Sequence, residues 1–127
     1  MEDQNPIRND VDRFIFDEID SVPHLEALLL LWNTRPRRWS IDELARYLYI
    51  PPDRTRQIIR DLQQRDLVFC DPDGCAYHST ESRDPLIAEI DRTWRRELVR
   101  ISNMIHSKAS PAVRDFARAF RLKKDKP

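Results

Sequence analysis

The chain has 127 residues with 22 basic and 22 acidic side chains, so its formal charge is zero, and 40% of it is apolar. That is the size of one domain, with enough apolar residues for a core and a large charged surface. The single glycine excludes a Walker A loop and a GxGxxG dinucleotide fingerprint, both of which need several glycines to bring backbone N–H groups against phosphate.

Residues 1–10 are polar and read as a flexible arm. The acidic first 20 residues have neither a basic n-region nor a small-residue cleavage site. No secretory signal is therefore expected, and a cytoplasmic address with reduced cysteines follows. Val11, Phe14, Ile15 and Ile19 have helical spacing, although Phe14-Ile15-Phe16 also suits the start of a strand. Ser21 can cap the next helix, whose early Pro23 costs nothing because first-turn N–H groups have no intrahelical acceptor. Leu25, Leu28, Leu29 and Trp32 recur at i, i+3, i+4, i+7, and Leu30 and Leu31 widen the stripe into a core helix ending near Trp32. Ala27 to Trp32 is the longest apolar run, far short of the roughly 20 residues of a membrane span.

Asn33 to Trp39 reads as a basic loop, and Ser40-Ile41-Asp42-Glu43 as a capping box. The short helix it opens buries Leu44, Ala45 and Leu48 and stops at Tyr49-Ile50-Pro51-Pro52. A third helix follows from Asp53 to about Arg65, with Ile58, Ile59 and Leu62 inside and Arg54, Arg56, Gln57 and Arg60 outside. Leu67 to Cys70 and Cys75 to His78 are β-prone runs around Asp71-Pro72-Asp73-Gly74, which predicts a hairpin. From Asp84, an expected cap before Pro85, the residues Ile87, Ile90, Trp94, Leu98, Ile101 and Ile105 trace a narrow seam on one helix of about 25 residues. Ser110-Pro111 opens a short terminal helix with Val113, Phe116, Ala117 and Phe120 on one face, and residues 123–127 form a basic tail.

Charge is segregated: residues 1–34 hold 2 basic and 8 acidic groups, 35–60 hold 7 and 3, 61–91 hold 2 and 8, and 92–127 hold 11 and 3. Such blocks either form opposite poles or pair with one another. The crowded Arg92, Arg95, Arg96 and Arg100 call for acidic partners, with Asp12, Asp17, Glu18 and Asp20 as candidates.

Helix, capped short helix, tight turn, third helix and hairpin is the order of a winged helix-turn-helix. The stretch SIDELARYLYIPPDRTRQIIRDLQQRDLV, from Ser40 to Val68, resembles the central segment of that superfamily. Within it the chain looks like the MarR-type transcriptional regulators, which add dimerising helices. The resemblance implies a mainly α fold with a small β-hairpin, in which residues 11–82 form the winged helix and 83–122 carry C-terminal dimerising helices. Tyr49 and Asp66 stand where many members carry glycine, and the wing tip is acidic where DNA-binding wings are commonly basic.

In that setting Arg54, Arg56, Gln57 and Arg60 would read base edges and phosphates of double-stranded DNA, with Arg37 and Arg38 on the backbone. The same residues also suit a solvated face, or an interaction module that binds a protein partner and never touches DNA. The seam at Ile87, Ile90, Trp94, Leu98, Ile101 and Ile105 is the expected homodimer contact. Cys70 and Cys75 flank the hairpin tip and should lie opposite each other, either packed as thiols or as a redox pair. His78 adds a third soft ligand without an evident fourth, so no metal is expected. His24 and His106 are isolated, and no Ser, His and Asp grouping stands out. The expectation is a regulator without enzymatic activity, cofactor or membrane association.

Overall fold

The computed structural model describes residues 6–108, with side chains from residue 9 onward. In chain order these form α1 (Pro6–Glu18), α2 (Val22–Thr34), α3 (Ile41–Leu48), α4 (Pro52–Gln64), β1 (Val68–Asp71), β2 (Gly74–Tyr77), α5 (Asp84–Arg96) and α6 (Leu98–Lys108). The expected terminal helix and basic tail lie outside the described residues.

Helix α1 runs from Pro6, so residues 6–10 are helical although the sequence suggests an arm. Val11 and Ile15, about one helical turn apart, lie on the same side of α1, and both are fully buried together with Ile19 just past the helix end. The Ser21 hydroxyl caps α2 by accepting the His24 backbone N–H. Leu25, Leu28 and Leu31 of α2 are fully enclosed, so this helix is the centre of the core.

Both halves of the α3 capping box are made: the Glu43 N–H donates to Ser40 Oγ at 3.1 Å and the Ser40 N–H to Glu43 Oε1 at 2.9 Å. The helix ends on Tyr49 at φ 59°, and Asp66 before the wing has φ 63°. These left-handed positions are the ones where glycine is usual, so the geometry is kept without it, at a cost of about 1–2 kcal/mol each. Tyr49 is 93% exposed, so its ring meets no steric objection from the core.

The hairpin is antiparallel with Val68 opposite Tyr77, Phe69 opposite Ala76 and Cys70 opposite Cys75. Trp39 adds a single antiparallel bridge to this two-stranded sheet: its N–H donates to the Cys75 carbonyl at 2.9 Å and the Cys75 N–H returns to its carbonyl at 2.8 Å. Gly74 has φ +130°, and a Cβ there would lie 2.8 Å from the Trp39 carbonyl oxygen, so the chain's one glycine sits where a side chain cannot.

The expected long C-terminal helix is two helices. Glu97 leaves helical geometry at φ −128°, ψ 45°, and separates α5 from α6. No proline or glycine marks the break; tertiary packing makes it. A straight helix would run past so small a core, whereas the kinked pair packs both pieces on α1. Arg100 of α6 thereby reaches Asp12 of α1 through two bonds, at 3.0 and 3.2 Å, and also bonds Glu97 at 2.6 Å. Asp84 is the first residue of α5 and not its cap. Its carboxylate accepts from the Tyr77 hydroxyl at 2.7 Å, the Thr80 N–H at 3.1 Å and the Ser79 hydroxyl, which ties the wing to α5.

Among the described residues no helix is long and apolar enough to cross a membrane.

Candidate nucleic-acid interface

Pro51 and Pro52 open α4 without a side-chain cap. Thr55, Ile58, Ile59 and Leu62 are all buried, and the Thr55 hydroxyl donates to the Pro51 carbonyl at 3.0 Å. With that face fixed to the core, Arg54, Arg56, Gln57 and Arg60 are necessarily exposed. Their partners differ. Arg56 meets Asp53 at 2.6 Å, one turn back on the same helix, and Gln57 donates to Asp61 at 2.8 Å. Arg54 reaches only the Ser21 hydroxyl at 3.4 Å and Arg60 only Gln57 Oε1 at 3.3 Å. Among the described residues these two have no carboxylate partner.

The loop before α3 holds its arginines against aromatic rings. The Arg37 guanidinium stacks 3.7 Å above Trp39 and lies 3.8 Å from Glu43. Arg38 sits over Phe69 and bonds Asp71 at 3.1 Å. The Arg38 bond holds the Asp71 carboxyl below the usual carboxylate range, with the Asp73 backbone N–H contributing. One of the two acidic groups at the wing tip is thus compensated by a cation that sequence reasoning had assigned to the DNA backbone.

Between α4 and the wing runs an open cleft of about 430 Å³. Arg56, Arg60 and Gln63 line it from α4, Ser40 and Ile41 from the start of α3, and Cys70 to Cys75 from the hairpin. Gln63 was missed in the sequence, although its place one turn after Arg60 and two turns after Arg56 puts it on their face. Cys70 and Cys75 are joined as a disulfide, so the expectation of reduced cysteines does not hold. Cross-strand opposition explains the pairing.

His24 is 2% exposed and links two helices: Nδ1 lies 2.6 Å from Ser21 Oγ and Nε2 2.8 Å from Asp61 Oδ2 of α4. Nothing in local spacing announces this Ser–His–Asp chain, because Asp61 lies far from Ser21 and His24 in sequence. Ser21 Oγ is also the α2 cap, so the chain is a structural tie rather than a free nucleophile. Ligand atoms of Asp20, His24 and Asp61 lie within 4.8 Å of one another. Each is already engaged, with Asp20 on Arg65 at 3.4 Å. His106 is exposed.

The seam is divided. Ile87, Ile90, Ile101 and Ile105 face the core of their own chain and are buried there. Trp94 is half-buried and Leu98 exposed, since the break at Glu97 rotates Leu98 and Val99 to the surface. The four isoleucines are therefore spent in the core of their own chain.

A helix-turn-helix of α3 and α4 followed by a β-hairpin wing, with α1, α5 and α6 packed beside it, is a winged-helix fold. No protein-family model matches the chain, and no curated protein does. Among solved structures it is similar to MepR, a transcription regulator of the Staphylococcus aureus multidrug efflux pump MepA. The identity is 13% and the TM-score 0.51, over 94% of this chain and 87% of that one. It also matches Rv1404 from Mycobacterium tuberculosis at 20% identity and TM-score 0.49, over 91% of this chain and 81% of that one. A MarR family protein from Bacillus stearothermophilus matches at 17% identity and TM-score 0.48, over 94% and 83%. At such identities the likeness is one of fold.

Proposed function

We propose that the chain is a transcription regulator that binds double-stranded DNA as a homodimer, with α4 in the major groove. The observation that carries this reading is the pair Arg54 and Arg60, exposed on the helix that follows the tight turn and without a carboxylate to satisfy them. Arg56, Gln57 and Arg60 are then the base-reading side chains, since Arg suits the guanine edge and Gln the adenine edge. Arg54 and Arg37 contact phosphate. Releasing Arg56 from Asp53 costs little, because an exposed pair one turn apart is worth only about 0.3–0.5 kcal/mol. The Arg38–Asp71 pair favours the reading too, because it lessens the repulsion an acidic wing would exert on the duplex.

Dimers suit this function because paired recognition helices match half-sites about 34–36 Å apart. The apolar side chains free for such a contact near the α5–α6 break are Leu98 and Val99, rather than the buried isoleucines. The role is one of binding, not catalysis.

The test is capture of sheared genomic DNA at low and near-physiological salt, followed by sequencing. Enrichment of a few sites sharing an inverted repeat supports a sequence-specific dimeric regulator. Recovery that is uniform and vanishes with salt, or no recovery, rejects it and points to a protein partner for the charged faces.

A further inference from the structure

We propose that the Cys70–Cys75 bond is a reversible thiol–disulfide exchange site, attacked at the Cys70 sulfur through the cleft between α4 and the wing. The two cysteines face each other across the hairpin, one step from its turn. By strand alternation their side chains share a sheet face with Val68 and Tyr77, both of which are buried. The bond ends that buried row where it opens into the cleft. Cys75 is only 5% exposed, and its backbone is locked to Trp39 in both directions. Cys70 is half-buried and has no such lock, so an incoming thiolate meets its sulfur first. The facing wall carries Arg56 and Arg60, cations that attract an anionic thiol and favour the thiolate of Cys70.

The exchange balances without any other group. A thiolate of a dithiol reductant attacks Cys70 Sγ, a mixed disulfide forms, and Cys75 leaves as thiolate and takes a proton. The reductant's second thiol then closes its own disulfide and releases Cys70, so that two electrons pass to the protein. A low-molecular-mass disulfide reverses the process by the same steps. The fold has reason to survive both states. A loop this short gains least from covalent closure, and the Trp39 ladder and Gly74 hold the hairpin without it. What changes is the wing wall of the cleft, because the bond ties β1 to β2 where the hairpin faces α4. Resting on the DNA-binding reading above, the same bond then sets the shape of the wing that a duplex meets beside α4.

The experiment equilibrates the full chain in dithiothreitol redox buffers, traps free thiols by alkylation and counts them by mass, with circular dichroism and amide hydrogen exchange on the same samples. Both thiols are expected to become free while the helical signal is unchanged, with faster exchange confined to Val68–Tyr77 and the cleft wall of α4. In Cys75→Ser, glutathione disulfide should label Cys70 readily, whereas in Cys70→Ser it should label Cys75 slowly. Arg56→Gln with Arg60→Gln should slow the Cys70 reaction several-fold. Reduction only in denaturant, equal labelling of the two sulfurs, or no effect of the arginines overturns the exchange site.

For the regulatory arm, oxidised and reduced protein and the Cys70→Ala/Cys75→Ala variant are titrated onto the captured DNA. The reduced form and the variant should agree with each other and differ from the oxidised form about tenfold. Equal affinity of all three overturns the regulation alone. Absence of binding in all three overturns the DNA reading, and the alkylation data then judge the exchange site by themselves.

Discussion

Arginine is used in two ways in this molecule. On α5 and α6 each one lies against a carboxylate: Arg92 and Arg96 against Glu89 at 2.6 and 3.7 Å, Arg95 against Asp91 at 3.1 Å, and Arg100 against Asp12 at 3.0 Å. On α4 one arginine of three has such a partner. A cation already paired gains little from a phosphate, since the old pair is lost as the new one forms; an unpaired, hydrated one gains the released counterions as well. The basic stretch around α5 is therefore scaffolding and the smaller one around α4 is the candidate surface, although the last block of the chain holds more basic residues. Count of charge is a poor guide; compensation decides.

The sharpest break of that contrast is charge reversal in both regions. Arg56→Glu with Arg60→Glu should weaken duplex binding roughly a thousandfold, from two lost base or phosphate contacts plus repulsion, as read by fluorescence anisotropy. Arg92→Glu with Arg96→Glu should leave DNA affinity within about twofold, and lower stability by about 1 kcal/mol because exposed pairs are worth little. If both reversals weaken binding alike, the contrast is wrong.

The apolar side of the same contrast comes next. Ile101→Ala should cost about 2–5 kcal/mol in urea unfolding, since the residue is fully enclosed, whereas Leu98→Ala should stay within about 0.5 kcal/mol for the isolated protomer. A Leu98→Ala loss that grows with protein concentration would place this residue in a subunit contact. Asp12→Ala falls between these two, at about 1 kcal/mol, because both members of its bidentate pair with Arg100 are about a third exposed and screened by water.

What could be seen in the sequence was local. Ser21 and Ser40 announced their helices because a cap is decided within four residues, and Cys70 met Cys75 because a short hairpin allows one register. What could not be seen was tertiary. The break at Glu97 has no helix-breaking residue, and the seam spacing runs through it undisturbed. Its cause is α1, whose Asp12 lies far from Arg100 in sequence. Asp12 was among the candidate partners, but Glu18 and Asp20 go instead to Arg65 of the α4 C-cap, at 3.0 and 3.4 Å. For the candidate site, the exposed face of α4 was readable from the burial of its opposite face. The aromatic stacking of Arg37 and the engagement of Arg38 by Asp71 were not, because they depend on where the wing folds back.

The smallest expected effects separate the two ends of the winged helix by pH. Burial alone would raise the Asp61 carboxyl, but the bonds from His24 and Gln57 outweigh it and hold it below its ordinary value. A carboxylate depressed in the folded state contributes stability that is present above the usual carboxylate range and is lost as pH falls through the folded value. Tyr77 is the opposite case: burial and then its bond to Asp84 push its hydroxyl from 10.0 up to about 12. A group raised on folding contributes stability that is complete below pH 10 and fades as pH climbs toward 12. The urea midpoint should therefore fall at both ends of the pH scale. Asp61→Asn should flatten only the acid limb, which reports the α2–α4 tie through His24. Tyr77→Phe should flatten the alkaline limb and, through the lost bond to Asp84, weaken the acid limb slightly; both report the tie of the wing to α5. An acid limb unchanged by Asp61→Asn would mean that the tie through His24 does not anchor α4, and that the core residues of α4 hold it alone.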